Sequence, residues 1–120
     1  MNQEKEIGNK LSLNIKSLAL SLIYVRFCFK AEELKLEENP ALMSVDSDFN
    51  KLINIVCSNN SNDEFAYLKK ISDICIQFLA DLKVFSKKND NPDKEFKEII
   101  LEAEKTVNEM CKNIKAIKDG

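Results

Sequence analysis

The sequence predicts an all-α protein: a single helical-bundle domain of three long helices and one short one, at about 4–37, 45–58, 62–88 and 92–118. Three observations carry this. Apolar residues recur at alternating spacings of four and three in every segment, the a/d pattern of helices packed at shallow angles. No segment shows sustained period-two alternation. Gly and Pro number two each, too few for most all-β designs, whose tight hairpins draw on residues that tolerate positive φ.

The first helix carries two apolar lines. The main one is Leu11, Ile15, Leu18, Leu22, Val25 and Phe29, and the other is Leu13, Leu20, Tyr24, Phe27, Ala31 and Leu34. A helix apolar on two sides is either central to the bundle or shared between the core and a partner chain. The sequence reading gives the main line to the core. It gives the second to a homodimer contact centred on Leu20, Tyr24 and Phe27, with two-fold pairing as the commonest way to hide such a surface. Asn39-Pro40 is read as the stop of this helix, because the residue before proline is pushed out of the α region.

The second helix repeats Val45, Phe49, Leu52 and Val56. At ~1.5 Å per residue it spans only about 20 Å, too short to cover the first helix end to end. The third carries Leu68, Ile71, Cys75, Phe78, Leu82 and Phe85 behind a capping box at Ser61-Asn62-Asp63-Glu64. The fourth carries Phe96, Ile100, Ala103, Val107, Met110, Ile114 and Ile117. It opens at Asn91-Pro92-Asp93 and closes with Lys112, Lys115 and Lys118, where the helix dipole favours cations.

Composition excludes several functions. Apolar residues make up 44% and charged residues 32%, well mixed, so the chain folds and is not a disordered tail. The net charge is −2 and Arg26 is the one arginine, which argues against nucleic acid as a partner. The opening residues lack the apolar core of a secretory signal. Leu18 to Phe29 is too short to span a bilayer and contains Arg26. The expectation is a cytoplasmic protein with no membrane partner. A bias toward Lys, Asn and Ile fits AT-rich coding, as in a low-GC bacterium, a phage or a parasite.

No catalytic, cofactor or metal site is expected. With no histidine, Ser-His-Asp and Cys-His nucleophiles and most zinc sites are ruled out. Cys28, Cys57, Cys75 and Cys111 fall one per helix with no CxxC pair, and read as small buried hydrophobes. Asp46, Asp48 and Asn50 imitate a calcium loop, but Lys51 stands where glycine is needed and Cys57 where glutamate is needed. They are read instead as the cap and acidic first turn of the second helix. Gly8 and Gly120 cannot build a phosphate-binding loop.

Carboxylates gather at the first connection: Glu32, Glu33, Glu37, Glu38, Asp46 and Asp48. They form either a solvated end or an acidic docking end for a basic partner surface. The function expected is a non-enzymatic, stoichiometric protein-binding module: an inhibitor, an immunity or antitoxin-like factor, or an adaptor or chaperone. The alternatives are a bundle sensing a small apolar molecule among Phe27, Phe29, Phe78 and Phe85, or an effector delivered into another cell.

Overall fold

The structure is a computed structural model that describes residues 2–36, 39–57, 64–88 and 93–119. Glu37, Glu38, the Ser61 cap and the Asn91-Pro92 start signal lie outside the described residues. Every regular element among those described is an α-helix: α1 (Asn2–Glu33), α2 (Pro40–Cys57), α3 (Glu64–Lys88) and α4 (Lys94–Asp119). The helices pack in a ring, each on its neighbours in the chain, with α1 closing the ring on α4. The α1–α4 contact is the most extensive and the α1–α2 contact the thinnest.

The first helix stops by a backbone device that the sequence reading missed. Lys35 adopts a left-handed conformation (φ 57°). Its N–H donates to the Glu32 carbonyl (3.0 Å), and the Leu36 N–H donates to the Ala31 carbonyl (3.0 Å). This is the Schellman pattern, unusual here in having lysine where glycine is customary. α1 therefore ends at Glu33, four residues short of the expected 37.

Asn39-Pro40 is a start and not a stop. Asn39 Oδ1 accepts from the N–H groups of Ala41 (2.9 Å) and Leu42 (3.3 Å), with Pro40 at the first helical position. α2 thus begins five residues earlier than expected and holds 18 residues, about 27 Å of helix. Asp46 and Asp48 sit in its interior, so their reading as an acidic first turn is corrected. In α4 the cap is Asp93, whose Oδ1 accepts from the Phe96 N–H at 2.8 Å.

One continuous core draws on all four helices. The expected seams of α3 and α4 are buried throughout, as are Val45, Phe49 and Leu52 of α2. Its centre is aromatic. Phe27 packs on Phe49, Phe85 and Phe96 with ring centroids 5.2, 6.5 and 5.6 Å apart, and Phe78 meets Phe49 edge-on at 4.6 Å. These rings pack against one another at the centre of the bundle. Phe29 points away from them and is exposed.

Candidate interaction surface

The structure exchanges the two lines of α1. Leu20 (0% exposed) and Phe27 (1%) lie in the core with Leu13, Ile23 and Ala31. Tyr24 is half-buried, stacked on Phe49 with centroids 4.8 Å apart. Its hydroxyl donates to Asp46 Oδ1 (2.7 Å) and accepts from Asn50 Nδ2 (3.1 Å). Burial and the Asp46 carboxylate both push the Tyr24 phenol above its ordinary pKa. The expectation that Leu20, Tyr24 and Phe27 form an outward contact is therefore corrected: these residues hold α1 to the rest of its own bundle.

The line expected in the core faces outward instead. Leu11, Ile15, Leu18, Leu22, Val25 and Phe29 are each between 51% and 70% exposed. They run along one side of α1 over about 27 Å. Isolated exposed leucines are ordinary, but six large apolar side chains in one continuous row are more than scattered exposure.

The orientation of α1 follows from its grip on α4. Asn113 Nδ2 donates to Ser12 Oγ (3.0 Å), and Lys16 pairs with Glu109. Arg26 reaches Glu102 (2.7 Å). Lys30 contacts Asp93 (3.2 Å), Glu95 (3.3 Å) and Glu33 (3.3 Å). The carboxylates around Lys30 raise its ammonium above the ordinary value, Asp93 most of all. The pairs advance along α1 as they retreat along α4, so the two helices run antiparallel with the α1 line turned out beside the ladder. A shallow groove of about 340 Å³ lies alongside, between α1 and α4, and includes Ala19, Leu22, Ile23, Thr106 and the Lys16–Glu109 pair.

Of the acidic residues at the expected docking end, four are described. Glu32 and Asp46 border an open cleft of about 470 Å³ between α1 and the start of α2, with Phe27, Cys28, Ala31, Leu42 and Met43. Glu33 is paired with Lys30. Asp48 is turned away altogether, 4% exposed in the wall between α2 and α3. Its carboxyl faces that of Asp81, and its Oδ2 has no hydrogen-bond partner. Desolvation first, and then Asp81, push Asp48 up to about 7.

No group of three or more His, Cys, Asp or Glu among the described residues is arranged to hold a metal ion. Cys75 is fully buried, and its thiol faces that of half-buried Cys111 across α3 and α4. Lys10–Glu33, 24 residues, is long and apolar enough to cross a membrane by length and composition. That amends the expectation built on Leu18 to Phe29 alone. Comparison of the chain with protein-family models, curated proteins and solved structures found no match.

Proposed function

We propose that this protein is a non-enzymatic binding module that acts by stoichiometric association with protein, as an inhibitor, immunity-type factor or adaptor would. The observation that carries the reading is the exposed row Leu11, Ile15, Leu18, Leu22, Val25 and Phe29. An apolar row of this length costs solubility unless a partner covers it, and its edges are set by ion pairs that would rim such a contact. No histidine stands behind any nucleophile, and the carboxyl of Asp48 is buried. Glu32 and Asp46, on the cleft beside Met43, give that end a second, acidic contact that would steer a basic partner.

The test is affinity capture from the source cells with the wild type and with Leu18→Glu and Leu22→Glu side by side. A partner held in a fixed ratio by the wild type and lost by both variants supports the module. Retention by both variants, or a small molecule carried through purification in native mass spectrometry, contradicts it.

A further inference from the structure

We propose that the occupant of the outward α1 line is a second copy of this chain, the two α1 helices lying antiparallel about a two-fold axis beside residue 20. The proposal rests on the outward line being a binding surface and names what covers it.

The spacing is the first argument. Leu11, Ile15, Leu18, Leu22, Val25 and Phe29 follow one another at four, three, four, three and four residues. That is a heptad seam, narrow and continuous, whose knobs fit the holes of another helix with the same repeat. The partner that carries the matching seam is the chain itself.

Area is the second argument. Six large side chains, each more than half exposed, make a patch on the order of the 300–600 Å² found on the largest patches of monomers. A two-fold contact counts the patch twice, about 600–1,200 Å², the upper end of which meets the roughly 1,200 Å² at which stable interfaces begin. The α1–α4 groove beside Leu22 adds to it.

Charge selects the orientation. The seam position after Phe29 is Glu32. A parallel, in-register pair would set Glu32 against Glu32 of the second copy, like charges at a seam position. Turned antiparallel, Leu18 meets Leu22 of the second copy, Ile15 meets Val25, and Leu11 meets Phe29. Glu32 then falls opposite Gly8, which is exposed and has open space where a Cβ would stand. On the flanks Ala19 and Ser21 each meet their own counterparts, and Arg26 lies opposite Ser12. No like charges face each other.

The same rim disfavours an anionic lipid surface. Interfacial helices carry unpaired lysine and arginine beside their apolar face. Here Lys16 and Arg26 are engaged with Glu109 and Glu102, and Lys30 with three carboxylates.

Sedimentation of the full chain from low to high micromolar concentration tests the proposal, with Leu22→Glu and Leu18→Glu as variants. The expected result is a wild-type dimer, with both variants monomeric and equally helical by circular dichroism. Orientation is read by cysteine cross-linking in a background with the native cysteines replaced by alanine. A mixture of Leu11→Cys and Phe29→Cys should cross-link, and Leu11→Cys alone should not. If that background does not fold, native mass spectrometry with hydrogen exchange still reads dimer and protected face. A wild type that stays monomeric overturns the second copy, while the capture experiment still judges protein binding by itself. Monomer that floats with phosphatidylglycerol vesicles, and loses this with Leu22→Glu, overturns both. Self-cross-linking of Leu11→Cys overturns the antiparallel arrangement.

Discussion

The carboxyl groups of Asp48 on α2 and Asp81 on α3 face each other, with Asp48 buried and Gln77 donating to Asp81 Oδ1 at 3.1 Å. Two carboxyls in contact cannot both ionise cheaply, so one keeps its proton. Asp48 moves from 3.8 to about 7, with Lys51 the one opposing charge beside it. The folded state then binds more protons than the unfolded chain between these two values. Stability contributed by this group is full below about 4, falls as the pH rises, and levels off above about 7. Asp48→Asn keeps a donor for Asp81 and removes the ionisation. It should melt above the wild type at pH 8, the gap closing toward pH 4. An equal gap at both pH values would exclude the shared proton.

Asp93 and Glu109 work in the opposite sense. The first is held below its ordinary value chiefly by the Phe96 N–H, the second chiefly by Lys16. Their contribution is present above the ordinary carboxylate range and is lost as the pH falls through their lowered values. Asp93→Ala removes both a helix cap and a Lys30 contact, and should lower the Tm near neutral pH. The loss relative to wild type should shrink in acid, as thermal melts at pH 7 and pH 3 would show.

The cysteines should differ in reactivity. Cys111 is lowered by the Cys75 thiol that faces it, whereas Cys75 is raised by the same contact and by burial. Burial raises Cys28 as well. Thiolate is the reactive form, so brief iodoacetamide treatment near pH 7.5 should label Cys111 ahead of Cys28 and Cys75. Cys75→Ala should slow labelling at Cys111. Peptide mass mapping reads both, and unchanged labelling at Cys111 would remove the thiol pair as the cause.

The exchanged faces of α1 give a sharp stability contrast. Phe27→Ala empties the middle of the aromatic core and should cost about 3–5 kcal/mol. Leu22→Ala removes an exposed side chain and should stay within about 0.5 kcal/mol when measured on the monomer. Denaturant unfolding at low protein concentration distinguishes them, and the reverse order would restore the arrangement read from the sequence.

Lys35→Gly should stabilise. A non-glycine residue at φ 57° carries a left-handed penalty of ~1–2 kcal/mol, from which the entropy of the added glycine takes back part. A net gain of about 0.5–1 kcal/mol corresponds to a rise of roughly 2–5 °C in Tm. No rise would mean the turn is formed differently in solution.

Most of the fold was legible because α3 and α4 each carry a single apolar line, and a helix with one line has one way to face its core. α1 was not legible in this way. Its buried side is interrupted by Ser17, which a hydrophobicity pattern rejects. Burial is tolerable because the Ser17 hydroxyl donates to the Leu13 carbonyl (2.9 Å), as Ser21 does to the Ser17 carbonyl (3.1 Å). The choice between lines was made across the bundle by Ser12, Lys16, Arg26 and Lys30, whose α4 partners lie 63 to 101 residues further along the chain. The α2 boundary failed for a different reason: Asn-Pro serves equally as a stop for one helix and a start for the next. Asp46 and Asp48 look alike in sequence, yet two residues on a helix turn them to different neighbours, Tyr24 and Asp81.

The dominance of the α1–α4 contact also bears on how the chain acquires its shape. The helices that hold each other most extensively are the two most distant in sequence, with α2 and α3 between them. Bringing them together closes a loop of nearly the whole described chain, so its entropic cost falls due before its contacts form. The α2–α3 hairpin, joined by a short connection, asks for far less. A folding nucleus seated in α2 and α3 follows, with α1 docking late. Changes at the Ser12–Asn113 and Arg26–Glu102 pairs would then quicken unfolding and leave the folding rate nearly untouched.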